Sequence, residues 1–244
     1  GANLGELTQN GVAVPPGFCV IAGAYRDFIR ISGLNASIEN IIRNIDFENT
    51  DDLSDKCGEI RKLIMEAPFP KKIKKEVKEA YVQLAQKTGL ENVQVAVRSS
   101  ATAEDLPDAS FAGQQETYLH IRGAEEVLKH VQRCWASLWT ARATYYREKQ
   151  DFNHFEVALS AVVQKMVRSE KSDVLFTANP VSNDLNQIMI NASWGLGEAV
   201  VSGVVTPDEF ILEKDHLDVV EKTISEKNTM IVEKDGDIGT VKVA

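Results

Sequence analysis

The sequence predicts an α+β protein in which a helical N-terminal part packs with a mostly antiparallel sheet core. Three observations point there. Before Glu91, apolar residues recur at helical spacing, as in Leu53, Cys57, Ile60 and Ile64 and again in Ile73, Val77, Tyr81 and Leu84. After Glu91 the apolar runs shorten to strand length and alternate with polar or charged turns. The 244 residues, 43% hydrophobic and 26% charged, are enough for a substantial core in one large or two smaller domains.

In chain order, Ala2 to Gln9 predicts a short helix with Leu4 and Leu7 on one side and Gly11 near its end. Val14-Pro15-Pro16-Gly17-Phe18 reads as a rigid extended turn leading into Cys19-Val20-Ile21. A helix from about Gly23 to Ile31 would group Tyr25, Phe28 and Ile29. Two more helices follow, over about Asp51 to Met65 and from Pro70 until Gly89 stops it. Val93 to Val97 is strand-like and ends at Arg98. A polar loop with the acidic pair Glu104-Asp105 comes next, then the small, amide-rich Ser110 to Thr117, then a second strand-like run from Tyr118 to Ile121. Ala124 to Lys149 has no Gly or Pro and carries the stripe Val127, Val131, Trp135, Leu138 and Trp139, which predicts one long helix with the tryptophans in the core. Val157 to Met166 reads as a buried strand. Short strands are expected at Val174 to Thr177 and Ile188 to Ala192, either side of a turn at Asn179-Pro180. Trp194-Gly195-Leu196-Gly197-Glu198 reads as a strand-to-helix transition, and Phe210 to Leu212, Met230 to Val232 and Val241 to Val243 form a β-rich tail with turns such as Asp235-Gly236-Asp237.

The net charge of -9 argues against nucleic acid as the main partner, although a local basic site for an anion depends on charge distribution rather than the sum. No apolar run approaches the ~18 residues of a bilayer span, and no secretory signal opens the chain. Cys19, Cys57 and Cys134 form no CxxC pair, and His120, His130, His154 and His216 have no metal-ligand spacing. Free thiols and no metal site among these residues are therefore expected, in a reducing cytoplasm. The chain opens on Gly1 rather than methionine, so its start is expected further upstream.

Several constellations carry possible chemistry. An arginine at a strand end beside a small-residue turn suits a polyphosphate: Arg98 can grip phosphate with two parallel hydrogen bonds. It equally suits a surface arginine paired with Glu104 or Asp105. In the Ser110 to Thr117 turn, Gly113 allows close backbone approach, successive N–H groups can form an anion-binding concavity, and the Thr117 hydroxyl can donate another bond. An ordinary β-hairpin fits the same residues. Gln164-Lys165-Met166 ends a buried strand, which suits either the edge of a nucleobase or a plain strand end. No P-loop pattern occurs, and Gly195-Leu196-Gly197 falls short of GxGxxG because Val200 stands at the third glycine. Lys71-Lys72-Ile73-Lys74-Lys75 reads as a solvated helix face.

Taken together, six segments resemble the N-terminal nucleotide-binding domain of the phosphoenolpyruvate synthase and pyruvate phosphate dikinase family. They are Gly1-Ala2-Asn3-Leu4-Gly5-Glu6-Leu7, Val14-Pro15-Pro16-Gly17-Phe18, Ala96 to Asp105, Ala109-Ser110-Phe111-Ala112-Gly113-Gln114, Phe176-Thr177-Ala178-Asn179-Pro180 and Gly195-Leu196-Gly197-Glu198-Ala199-Val200. Their order is kept across nearly the whole chain. The resemblance implies an ATP-grasp-type fold over residues 1–244, with a helix-rich part over 1–90 and a β-rich core over 91–244. It implies ATP and Mg²⁺ as cofactors, with Arg98 on the phosphates in a catalytic role, Gly113 and Thr117 on the loop covering them, and Gln164 with Met166 on the adenine side. In such a parent, phosphoryl passes from ATP to a histidine on a separate swivelling domain and on to an acceptor-binding domain.

The sequence also departs from the family pattern. A Gly-Gly-Lys expected before Gly1, and a metal-binding carboxylate, a glutamine and an arginine expected after Ala244, are not in it. Ser172-Asp173 stands where Ser-Gly is common, and aspartate tolerates the left-handed backbone such a turn needs. A domain truncated at both ends is therefore expected, with weakened ATP affinity and no complete dikinase reaction alone. The leading function is the ATP-binding domain of a pyruvate, water dikinase (phosphoenolpyruvate synthase). A rifamycin-type antibiotic phosphotransferase and a non-catalytic nucleotide-binding module are the alternatives.

Overall fold

A computed structural model describes residues 1–101, 105–106, 109–110, 116–233 and 240–243, with the backbone alone at 105–106, 109–110 and 240–243. Two compact units divide the chain, Gly1–Met166 and Val167–Ala244. The expected turn at Asp235-Gly236-Asp237 lies outside the described residues.

The first unit opens with α1 (Ala2–Gln9), which buries none of its residues, and β1 (Gly17–Val20). Then come α2 (Ala22–Ile31), α3 (Leu34–Arg43), α4 (Thr50–Glu66) and α5 (Lys71–Thr88). The residues at helical spacing are the ones buried: Tyr25, Phe28 and Ile29 on α2, Leu53, Cys57, Ile60 and Ile64 on α4, and Ile73, Val77, Tyr81 and Leu84 on α5. Asn49 caps α4, its side-chain oxygen accepting from the N–H groups of Asp51 and Asp52 at 3.0 and 3.2 Å. The lysines of α5 point outward into exposed pairs with Glu76, Glu79 and Glu125, each worth little on its own.

After α5 come β2 (Val95–Ala101), the short β3 (Asp105–Leu106) and β4 (Ala109–Ser110), β5 (Thr117–Ile121), α6 (Ala124–Ser137), α7 (Ala141–Lys149) and β6 (Leu159–Lys165). The single helix expected over Ala124 to Lys149 is two. Thr140 takes an extended backbone and its side chain accepts from Ala143 N–H at 3.3 Å, which starts α7 afresh. A capping threonine thus breaks a stretch that contains neither Gly nor Pro. Trp135 and Trp139 are in the core as expected, fully buried, with Trp139 Nε1 donating to the Tyr25 hydroxyl at 3.0 Å.

Four strands form an antiparallel sheet in the order β1-β6-β2-β5. The alternation of side chains gives it two unlike faces. On one, Phe18, Val163, Val97 and Tyr118 form a cross-strand row facing α2 and α6, with Val20, Ala161 and Ser99 behind it. The other face carries no row of large apolar side chains. A bulge in the β2–β5 pairing, with His120 at φ 58°, keeps Ile121 opposite Val95 on the core side. Gly17 is where β1 touches β6: a Cβ there would lie 2.3 Å from the Val163 carbonyl oxygen and 2.9 Å from Gln164 Cα. No side chain fits, so the glycine after Pro15-Pro16 is a requirement of the strand contact.

Between α7 and β6 sits a buried cation. Arg147 is completely buried; its Nη1 donates to Leu138 O at 2.7 Å, its Nη2 to Thr144 Oγ1 at 3.4 Å and its Nε to His154 Nδ1 at 3.3 Å. The guanidinium lies 5.0 Å from the Trp139 ring centre. His154 Nε2 meets Glu148 at 3.1 Å, so the arginine is linked to that carboxylate through a neutral histidine. Burial pushes Arg147 down to about 10 and the Tyr25 hydroxyl up to about 12.

The second unit is built on an antiparallel sheet in the order β10-β9-β8-β7: β7 (Lys171–Phe176), β8 (Gln187–Trp194), β9 (Asp208–Glu213) and β10 (Val219–Thr223). The one-turn α8 (Glu198–Val201) packs on β7 and β8, and β11 (Met230–Glu233) pairs with β12 (Thr240–Val243). Asn179 organises the expected turn, its side chain accepting from Val181 and Ser182 N–H at 3.0 and 3.2 Å and its backbone N–H bonding Asp184 O at 2.9 Å. Gly195 leaves β8 at φ 80° with Ile231 O only 2.3 Å from where a Cβ would stand, and Leu196 N–H donates to that same oxygen at 2.8 Å. The Gly195 to Glu198 transition therefore serves the local core of Leu196, Ala199, Val205 and Ile231. Ser172-Asp173 is not the turn expected from its departure from Ser-Gly. Both residues are inside β7, opposite Ser193 and Ala192, and Asp173 does not have a positive φ.

Two outcomes follow from these contacts. Gly17→Ala should lower stability by about 1–3 kcal/mol, the usual cost of overpacking, measured by urea unfolding; an unchanged midpoint would mean that β1 and β6 can part without penalty. His130 and His154 are both held below the ordinary histidine value of 6.5, chiefly by burial. The folded chain then binds fewer protons than the unfolded one just below pH 6.5, so stability is full above that pH and falls as the solution is acidified. The melting temperature should drop between pH 7.5 and 5.5, and His130→Gln should flatten that slope; identical slopes would remove His130 from the account.

Candidate functional site

The face of the first unit's sheet that turns away from α2 and α6 holds the expected site residues. Arg98 pairs with Thr117 on β5 and with Val162 on β6, and Val162 pairs with Cys19 on β1. Directly paired residues of antiparallel strands project to the same side. Cys19, Val162, Arg98 and Thr117 therefore form one row across all four strands. The next row holds Gly17, Gln164 and Ala96.

Arg98 is not at a strand end, as the sequence suggested. It is in the middle of β2, because Ser99, Ser100 and Ala101 go on pairing with Ala161, Ser160 and Leu159. Its side chain is exposed between buried Val97 and Ser99, and it makes no hydrogen bond or ion pair with another described residue. A central strand thus presents a permanent cation whose five donors meet no acceptor among the described residues. Thr117 is the first residue of β5, exposed, opposite Arg98. The residue before it, Glu116, is held to β2: its carbonyl accepts from Ser99 N–H at 3.1 Å and Ser99 Oγ at 3.3 Å. Gly113 lies outside the described residues.

Gln164 is half-buried near the end of β6, one diagonal step from Arg98, roughly 7–8 Å away at that sheet spacing. Its Nε2 donates to Pro15 O at 3.0 Å, which fixes the amide against the proline turn. Met166 follows β6 and is the last residue of the first unit. Its backbone N–H donates to Gln94 O at 2.8 Å, so that donor is used within the sheet. The fold thus groups Arg98, Thr117 and Gln164 on one face, with Met166 just past the strand end.

Cys19 was not singled out from the sequence, yet it completes the Arg98 row and is exposed, whereas Cys57 and Cys134 are buried. Period-two alternation along β1 would have shown its side only once β1 was known to pair with β6. Burial pushes the Cys134 thiol up to about 12 and raises Cys57 as well. The described residues bring together no group of three or more His, Cys, Asp or Glu able to hold a metal ion. No helix among them is long and apolar enough to cross a membrane.

A family model described as pyruvate phosphate dikinase, AMP/ATP-binding domain, matches residues 1–244. The chain belongs to this family. Among its relatives are phosphoenolpyruvate synthase of Pyrococcus furiosus, 53% identical over 95% of the chain and 32% of the relative, and probable phosphoenolpyruvate synthase of Methanocaldococcus jannaschii, 52% identical over all of the chain and 20% of the relative. Phosphoenolpyruvate synthase of Aeropyrum pernix is 45% identical over 93% of the chain and 28% of the relative. The chain spans about a third of the length of the Pyrococcus relatives and a fifth of the Methanocaldococcus one. Within the family assignment, the mixed helix and antiparallel-sheet architecture stands as described above.

Because thiolate formation governs reactivity, an aromatic disulfide reagent added to the native chain should modify one thiol quickly, Cys19, and the other two only after unfolding. Cys19→Ser should abolish the fast phase. Two or three fast thiols in the native state would contradict the burial of Cys57 and Cys134.

Proposed function

We propose that this chain is the ATP-binding domain of a phosphoenolpyruvate synthase, a pyruvate, water dikinase, with an ATP-grasp-type nucleotide-binding fold. One observation carries the reading: the exposed Arg98, without a hydrogen bond or ion pair among the described residues, stands mid-strand in a row with Thr117, one diagonal step from Gln164. The family is described by AMP and ATP binding, and the Pyrococcus, Methanocaldococcus and Aeropyrum relatives carry the synthase name, which favours this reading over an antibiotic phosphotransferase.

In this reading ATP arrives as its magnesium complex and lies along the open sheet face of the first unit. Arg98 forms two parallel charge-assisted bonds to phosphate oxygens. The central position of β2 matters here, because the sheet fixes the backbone from which the guanidinium reaches, so no backbone freedom has to be lost on binding. Thr117 donates its hydroxyl to the same phosphates, with Gly113 assigned beside it by the family resemblance alone. Gln164 and Met166 border the base, the amide held in place by Pro15. Phosphoryl transfer to a histidine of a swivelling domain in the parent protein builds negative charge on the phosphate oxygens, and Arg98 stabilises it by position and charge alone. An acceptor-binding domain takes the group from there.

Calorimetry with MgATP tests the assignment. Each lost charged contact is worth about 1.5–3 kcal/mol, so Arg98→Ala should weaken binding roughly ten- to hundred-fold, and MgATP should slow labelling of Cys19 in the wild type. Equal affinity with and without Arg98, at unchanged melting temperature, would refute the phosphate role.

A further inference from the structure

On the opposite side of the same sheet the first unit has a cavity of about 470 Å³ that the reading above does not use. Its volume is within the usual range of small-molecule sites. Three cations reach it, Arg61 and Lys62 from α4 and Arg133 from α6. Two of them have modest engagements: Lys62 is 3.9 Å from the exposed Glu66, and Arg133 lies 5.8 Å over the Tyr118 ring with its Nη1 3.3 Å from His130 Nε2. Arg61 makes no hydrogen bond or ion pair with another described residue. The remaining polar lining is different in kind. Glu116 accepts from the Tyr118 hydroxyl, and the Ser137 hydroxyl donates to Cys134 O at 2.7 Å.

We propose that this cavity binds a small phosphate ester bearing hydroxyl groups, with Arg61, Lys62 and Arg133 on the phosphate and Glu116 on a hydroxyl. Three cations against one carboxylate leave a net charge of +2 in a chain whose total is -9, so the cavity draws anions against the field of the whole molecule. Two guanidiniums suit phosphate through paired donors, and the ammonium adds a point charge. A bare anion would meet Glu116 as a repulsive neighbour. A ligand with a hydroxyl gives that carboxylate a donor, so Glu116 selects an ester over the free ion. The site is separate from the Arg98 row, because Tyr118 pairs with Val97 on the core side while Thr117 pairs with Arg98 on the open side. It nevertheless touches the same chain, since Glu116 O holds Ser99, the neighbour of Arg98.

Ribose 5-phosphate, inorganic phosphate and ribose are the probes, titrated into the 244-residue chain by calorimetry. Ribose 5-phosphate should bind saturably, inorganic phosphate several-fold more weakly and ribose undetectably. Arg61→Glu, a change on an exposed position, should weaken ribose 5-phosphate at least tenfold, and Glu116→Gln should weaken it while sparing inorganic phosphate. Arg98→Ala should leave it unchanged. The proposal is overturned if ribose 5-phosphate does not bind saturably, if Arg61→Glu binds it as the wild type does, if inorganic phosphate binds as tightly as the ester, or if Arg98→Ala abolishes binding, which would place the ester on the other face. Melting curves of each variant separate a lost site from a lost fold.

Discussion

The seven-residue antiparallel pairing of β2 with β6, from Val95 opposite Lys165 to Ala101 opposite Leu159, is the constraint on which the first unit depends. It fixes the side of every residue in the two central strands. Val95, Val97 and Val163 go to the helices, while Arg98 and Gln164 go to the open face. A slip of one residue in β2 would drive the Arg98 guanidinium into an apolar core and expose Val95 and Val97. The cost of burying an unpaired charge makes that register a poor competitor. The same pairing carries β1 through Gly17 and β5 through the bulge at His120, so the row from Cys19 to Thr117 follows from it.

Two arginines of this unit show how environment divides one side chain between two tasks. Arg147 is buried, satisfied by a carbonyl, a hydroxyl and a histidine, and stacked on Trp139. It joins α7 to the segment before β6, and its charge is met at one remove by Glu148 through His154. Arg98 has no such partners among the described residues and keeps its donors open on a rigid strand. A cation that the fold has already satisfied stabilises; one that the fold positions without satisfying is available to a ligand.

Much of this was legible in the residues. The helix stripes of α2, α4 and α5 emerged with the expected buried sets, because 3.6-residue periodicity is a local property of the chain. The Asn179 turn and the Gly195 transition were readable for the same reason: side-chain acceptors and missing Cβ atoms act on their immediate neighbours. Other features were not. The break at Thr140 depended on one threonine taking an extended backbone within a helix-compatible run. Arg98 read as a strand end because Ser99 and Ser100 have weak strand preference; pairing with β6, sixty residues later, carried the strand on to Ala101. The Ser172-Asp173 segment read as a turn and is mid-strand for a like reason, since β8 supplies its partners. Arg147, His130 and the cavity beside Arg61 have no linear pattern at all.

By itself, then, the sequence determined the stripes of α2, α4 and α5, the Asn179 turn, the Gly195 transition and the family to which the chain belongs, because each rests on short-range spacing or on motifs kept in order. The tertiary structure alone decided which side chains share a face. Arg98, Thr117 and Gln164 are far apart in the chain and become neighbours only through strand pairing, whose register is set by long-range burial and by the close approach at Gly17. The same is true of the two faces of one sheet: the row that presents Arg98, and, behind it, the cations of α4 and α6 gathered around Glu116.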